Sequence, residues 1–149
     1  MAEIQDSPIG WVARHVRAYV ATDGRDGHHR WGVTNLLLTT RGRRTGRLRR
    51  TALIYAVDGS RYVVVASGAG EDHHPAWYLN LRADPLVGVQ VGAEVFVARA
   101  ATAVGEERDR LWRVMADLWP DYERYRRKAS RTIPVVTLTP QDDEGTAPR

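Results

Sequence analysis

The sequence predicts an α+β fold in which about six short strands, mainly antiparallel, close into a β-barrel flanked by helices. Two observations point there. Short β-rich runs are joined by tight-turn signals, Asp58-Gly59 and Gly92-Ala93, and not by helices. Helical periodicity is confined to the two ends of the chain and one segment between them. Short, evenly spaced strands favour closure, which also removes exposed edges.

Ser7-Pro8 reads as an N-cap followed by proline at the first helical position. Ile9, Val12, Val16, Tyr19 and Val20 then recur at helical spacing, so an amphipathic helix is expected to about Ala21. Thr22 to Arg30 is a polar loop, Leu36 to Thr40 suits a buried strand, and Arg41 to Arg50 is a loop containing Gly42 and Gly46. Thr51 to Val57 and Arg61 to Ala66 form the clearest hairpin, joined through Asp58-Gly59. Ser67 to His74 is a second glycine-containing loop. Pro75 opens a short helix carrying Trp77, Tyr78, Leu79 and Leu81, which Asp84-Pro85 ends. Val87, Val89 and Val91 alternate, as do Val95 and Val97 beyond Gly92-Ala93, giving a second hairpin. From Gly105 the period turns helical, with Leu111, Met115, Leu118 and Trp119 on one face. Pro120 interrupts it, and Asp121 to Ser130 forms a short further helix. Ile133 to Thr139 is the last strand, and Gln141 to Arg149 is a polar tail expected to be disordered. The chain thus divides into an N-terminal helix and loop (1–30), the barrel (31–140) and the tail (141–149).

At 149 residues the chain fits one domain. It has no cysteine, which excludes disulfides, thiolate metal sites and cysteine nucleophiles, and is compatible with a reducing compartment. No apolar run approaches the ~18 residues of a membrane span. The first ten residues lack the basic-then-apolar order of a signal peptide, so a cytoplasmic protein is expected. The net charge of +4 is almost wholly arginine, Lys128 being the sole lysine. Six arginines fall between Arg41 and Arg50. Such a cluster suits a polyanion: nucleic acid, an anionic membrane or a phosphate-bearing small molecule.

Several segments carry possible chemistry. Thr39 to Arg47 follows a strand directly; its glycines let the backbone approach a ligand, arginine forks match phosphate oxygens, and Thr45 adds a hydroxyl. It lacks the Gly-Lys-Ser/Thr ending of a P-loop, and a solvated basic loop is the competing reading. Ala66-Ser67-Gly68-Ala69-Gly70 offers backbone N–H groups and a hydroxyl, or is a plain turn. The pairs His28-His29 and His73-His74 lack metal-ligand spacing and a third ligand, so no metal site is expected. No Gly-x-Ser-x-Gly is present, and Ser67 has no evident base. Trp119, Tyr122 and Tyr125 recur at every third position around Pro120, as core or as pocket lining. Arg14, His15 and Arg17 on the first helix would suit anionic headgroups, against the alternative of a helix that covers the core.

In combination and in order, these pieces resemble the deazaflavin-dependent nitroreductase family, an actinobacterial branch of the flavin/deazaflavin split β-barrel superfamily. The resemblance runs from about Leu36 to Pro140. It rests on Gly42-Arg43-Arg44-Thr45-Gly46 with Arg49 or Arg50, and on Val65-Ala66-Ser67. It continues through His74-Pro75-Ala76-Trp77-Tyr78-Leu79-Asn80-Leu81 with Asp84-Pro85, and ends at Arg131-Thr132-Ile133-Pro134. The resemblance implies a split β-barrel of the FMN-binding type and coenzyme F420, whose tail carries a phosphodiester and an acidic oligoglutamate. It implies phosphate contacts from Arg43, Arg44, Thr45 and Arg49, with Gly46 shaping their loop. Ala66, Ser67 and Gly68 would approach the deazaflavin or its tail, and Trp77 would shape the site. Trp119, Tyr122 and Tyr125 match positions on the acceptor side, where Tyr122, Tyr125 or Ser67 would polarise the acceptor or relay a proton. Three positions depart from the pattern: Gly68 and Ala52 stand where relatives often carry lysine and proline, and Trp119 stands where the best-known nitroreductase type has tyrosine.

The function so implied is hydride transfer from reduced F420 to an apolar conjugated acceptor: a quinone, enone or nitro compound. The rivals are an FMN-binding reductase of the same fold and a non-catalytic barrel that holds a lipid or fatty acid. Nucleic acid is not an expected partner, because the aromatics lie in helical segments away from the single basic loop.

Overall fold

The computed structural model describes residues 4–141. The sheet grows from β3 (Val33–Arg41), a strand buried on both faces as its unbroken apolar run requires. On one side β3 pairs with β4 (Leu48–Ile54), and on the other with β7 (Leu86–Val91). The order continues through β8 (Glu94–Thr102), β9 (Val135–Pro140) and β6 (Arg61–Val65) to β5 (Ala56–Asp58). Two short strands complete it: β1 (Ile4–Asp6) runs parallel to β4, and β2 (His29–Arg30) pairs with the start of β3. The other pairings among the described residues are antiparallel.

Strand alternation divides the apolar residues between two environments. Leu36, Leu38, Val64, Ala66, Val87, Val89, Ala98, Ala100, Val136 and Leu138 point into the barrel and form its core. The intervening residues point outward and are covered by helices. Leu37 packs beneath Val12, Val16 and Tyr19 of α1 (Gly10–Ala21). Val63, Val65 and Val135 pack beneath Leu111, Trp112 and Met115 of α3 (Gly105–Leu118) and Tyr122 of α4 (Asp121–Lys128). Helix α2 (Ala76–Ala83) adds Tyr78 and Leu81 to the barrel core.

The structure revises several details of the sequence reading. Helix α1 starts at Gly10, because the Ser7 hydroxyl accepts a hydrogen bond from the Ile9 N–H (3.2 Å) in a turn that precedes the helix. His15 is buried against the sheet, not displayed beside Arg14 and Arg17 on the exposed face. The first hairpin is only half as expected. Ala56–Asp58 pairs with Arg61–Val63, the turn falling at Gly59-Ser60 because Asp58 still pairs with Arg61, but residues 51–54 pair with β3. The strand breaks at Tyr55, whose N–H bonds Thr34 O (3.1 Å), and the chain passes from one half of the sheet to the other. On α3 the buried face carries Trp112, while Leu118 is only partly covered. The tail expected to be disordered lies, beyond Gln141, outside the described residues.

Candidate functional site

Because β4 and β6 are not hydrogen-bonded to each other, the sheet leaves a cleft of about 1060 Å³ on the β4 side. That matches the upper end of the roughly 300–1,000 Å³ usual for small-molecule sites. Its floor is β4 from Arg49 to Ile54, and its walls come from α1, the loop after β3, the Ser67 segment, α2 and α4. The rise of a strand puts Arg49 and Ile54 about 17 Å apart. Charge is concentrated at the Arg49 end, while Ile54 packs with the cluster that holds Tyr122.

The arginine loop is pinned from below. Gly42 and Arg47 close the turn through Gly42 N–H to Arg47 O (2.7 Å). Buried Asn80 accepts from the Arg43 N–H (3.1 Å) through Oδ1 and donates to Thr40 Oγ1 (3.2 Å) through Nδ2, tying the loop to α2. Two of its arginines have acidic partners: Arg50 with Asp6 at 2.9 Å, and Arg41 with Asp84 at 3.9 Å. Among the described residues Arg43, Arg44 and Arg49 have none, and these three line the cleft. Thr45 Oγ1 accepts from Arg47 N–H (3.2 Å), which leaves its own proton for a ligand.

Opposite this loop, Ser67 to Glu71 is held by one side chain. Arg131 donates to Ala66 O (3.2 Å), Ser67 O (2.8 Å) and Glu71 O (2.9 Å), and to His74 Nδ1 (3.0 Å). Burial lowers the pKa of His74, helped by Arg131 and Arg82, so the ring stays neutral and accepts the guanidinium proton. Gly68 lies in the left-handed region (φ 52°), where a lysine would be strained, and non-glycine Ala69 follows it there (φ 56°). The Ser67 hydroxyl makes no hydrogen bond among the described residues.

The aromatic wall is built on the α3–α4 junction. Trp112 Nε1 donates to Glu123 Oε2 and ties the two helices together. The Tyr122 and Tyr125 rings meet edge-on at 6.2 Å. Burial raises the Tyr122 pKa, so its hydroxyl remains a protonated donor at any neutral pH. Half-buried Trp119 completes this wall, and Trp77 contributes from α2.

The structure therefore brings together, around one cleft, Arg43, Arg44, Thr45, Arg49, Ser67, Gly68, Trp77, Trp119, Tyr122 and Tyr125. Two expected site residues stand apart from the lining. Gly46 is an exposed turn residue whose N–H bonds Gly42 O (2.8 Å), and Ala66 is a fully buried member of the barrel core. Sequence reasoning did not single out Arg131 or Asn80 as organisers, or Trp11, His15, Trp31 and Asn35 as lining. Asn80 carried a signal, being a polar residue among apolar neighbours on a short helix. His15, Trp31 and Asn35 carried none, because their roles depend on how α1 lies on the sheet. Among the described residues no cluster of three or more His, Asp or Glu is placed to hold a metal ion, and no helix is long and apolar enough to cross a membrane.

These features define a split β-barrel of the kind that binds flavin-like cofactors, with guanidiniums that are unpaired among the described residues sharing a cleft with an aromatic wall. The model of the F420H(2)-dependent quinone reductase family matches residues 11–140. An F420H(2)-dependent quinone reductase of Mycobacterium tuberculosis is 39% identical, the match covering 87% of this chain and 95% of that protein. The solved structure of an F420-H2 dependent reductase is 36% identical with a TM-score of 0.65, covering 70% of this chain and 92% of its own. A second, described as a domain-swapped dimer, is 34% identical with a TM-score of 0.68, covering 89% and 99%. The chain belongs to the F420H(2)-dependent quinone reductase family, a family of oxidoreductases whose cofactor is coenzyme F420.

Proposed function

We propose that this chain is an F420H2-dependent reductase acting on an apolar conjugated acceptor, a quinone, enone or nitro compound. The observation that carries the reading is the polarity of the cleft: three arginines without acidic partners among the described residues at one end of β4, and Trp119, Tyr122 and Tyr125 near the other. The site fits the cofactor in its chemistry. Arg43, Arg44, Arg49 and the Thr45 hydroxyl suit the phosphodiester and acidic tail, since guanidinium forks pair with such oxygens two at a time. The Ser67–Gly68 segment and Trp77 suit a flat ring that must lie close to backbone.

When bound, reduced F420 supplies a hydride, and the protein supplies orientation, exclusion of water and a proton. Trp77, Trp119 and the β4 floor hold the acceptor as a flat apolar plate. Tyr122, kept protonated by its burial, donates a hydrogen bond to the acceptor oxygen on which negative charge develops. Tyr125 and Ser67 are further hydroxyls of the lining from which a proton can be passed, with solvent as the ultimate source.

The test is a titration of the protein with oxidised F420 and with FMN, followed by intrinsic tryptophan fluorescence at moderate salt. Micromolar binding of F420 but not FMN, with oxidation of F420H2 by menadione, is the expected result. Preference for FMN would transfer the reading to a flavin reductase of the same fold. Binding of neither, with a lipid or fatty acid found in the purified protein by mass spectrometry, would leave a non-catalytic carrier.

A further inference from the structure

Beneath α1 the cleft contains two polar side chains that neither the arginine loop nor the tyrosines employ. His15 and Asn35 are each only 1% exposed, and both line the cleft. The His15 Nε2 lies 2.8 Å from the carbonyl oxygen of Gly27. A carbonyl can only accept, so Nε2 carries the ring proton and Nδ1 is left with a bare lone pair. The Cδ2–Nε2 edge is seated on Gly27, where an added Cβ would come within 2.9 Å of Cδ2. Nδ1 therefore lies on the side of the ring away from Gly27. It has no hydrogen-bond partner among the described residues. Every fully buried side-chain nitrogen or oxygen among those residues does have one, so Nδ1 keeps access to the cleft.

Asn35 is in a similar position. Its Nδ2 reaches only Val33 O, at 3.5 Å, which is too long for a strong bond, and its Oδ1 has no partner among the described residues. It shares a strand face with Leu37, which packs under Val12, Val16 and Tyr19, so the Asn35 side chain lies on the same helix-covered side as His15. The surrounding wall is apolar: Trp11, Val12, Trp31, whose ring meets His15 edge-on at 5.5 Å, and Ile54, the register partner of Asn35. The two side chains thus offer an unused acceptor and an unused amide to a ligand lodged against this wall.

We propose that His15 and Asn35 form a recognition subsite for a conjugated carbonyl compound bearing a hydroxyl beside the carbonyl. His15 Nδ1 accepts the hydroxyl proton in a hydrogen bond, and the Asn35 amide donates to the carbonyl oxygen. The inference rests on the reductase reading only in calling this ligand the acceptor.

Binding is measured without cofactor, by quenching of tryptophan fluorescence with menadione and with 2-(hydroxymethyl)-1,4-naphthoquinone, which differs from it by one alcohol hydroxyl near a carbonyl. The protein is expected to hold the hydroxylated quinone about three- to tenfold more tightly, the worth of one hydrogen bond. His15→Gln retains a donor where Nε2 meets Gly27 and removes Nδ1, so this preference should vanish while menadione binding is kept. His15→Asn sets a polar atom near Nδ1 and gives up Gly27; it should melt lower yet keep the preference. Asn35→Leu should weaken both quinones, since both present a carbonyl. A wild-type protein without the preference, or a His15→Gln variant that retains it, overturns the proposal. Preference without oxidation of F420H2 by either quinone would keep the subsite and remove the reductase reading.

Discussion

Replacing Arg131 by lysine keeps the charge and removes the fork. The guanidinium serves three backbone carbonyls, of Ala66, Ser67 and Glu71, together with His74 Nδ1, at 2.8–3.2 Å. An ammonium on one stem reaches about two of these four acceptors at once. Two charge-assisted bonds are therefore lost, taken at about 1–1.5 kcal/mol each because the side chain is partly open to solvent, which gives about 2–3 kcal/mol. That energy orders Ser67 to Glu71, a segment with consecutive left-handed residues at Gly68, Ala69 and Gly70 whose one buried residue, Gly70, sits against the Tyr125 backbone. A ligand that needs the segment ordered must then supply the difference, so the Kd for F420 should rise about 30- to 150-fold. The assay is the fluorescence titration, paired with hydrogen exchange of the amides of residues 67–71, which should lose protection together. An Arg131→Lys protein that binds F420 as wild type with the segment equally protected would refute the reasoning.

Other perturbations have equally definite outcomes. Arg44→Ala with Arg49→Ala should weaken F420 by about two orders of magnitude or more, because two charge-assisted phosphate contacts go at once; unchanged affinity removes the phosphate assignment. Asn80→Leu leaves the Thr40 hydroxyl and the Arg43 N–H without their partner, at about 2–3 kcal/mol. Its Tm should fall by roughly 5–10 °C, with weaker F420 binding, both read by melting and titration. Burial lowers the pKa of His15, His28 and His74. Between those lowered values and the ordinary 6.5 the unfolded chain binds more protons, so stability is full above pH 6.5 and is lost as pH falls through that window. Thermal melts from pH 7.5 to 5 should drift downward, less steeply for His15→Gln; a flat profile would contradict this.

What the sequence disclosed was whatever depends on local pattern. Asp58-Gly59 and Gly92-Ala93 mark their turns because only a few residues accept the turn geometry; the second holds as placed, and the first falls one residue later, at Gly59-Ser60. The alternation of Val87, Val89 and Val91 and the Pro75–Asp84 helix are similarly self-contained. Strand partnership was not legible. Residues 51–58 look like one run, and nothing local says that it breaks at Tyr55 and joins two different neighbours. The three shortest strands, β1, β2 and β5, carry too few residues for a period to register and exist because longer strands present edges to them. His15 illustrates the limit for side chains: beside Arg14 and Arg17 it reads as a surface cation, and only the seat of α1 on Gly27 makes it a buried neutral ring.

The same break explains why the cleft divides its labour. Were residues 48–58 a single strand paired to β6, the sheet would close and β4 would be a wall of the barrel core. Because pairing with β3 ends near Tyr55, the cleft-facing residues of β4 are left uncovered by strands, and α1 and α4 approach them from either side. The parts suited to phosphate and ring sit on loops clamped from the barrel side, by Asn80 and by Arg131. The parts suited to an acceptor sit on helices packed against the outer face, which can shift or change residues without disturbing the strand pairing. On the proposed function, cofactor choice and acceptor choice are thus written in separate segments. Of the subsite residues, His15 belongs to the second set, while Asn35 lies on β3, the strand that α1 covers.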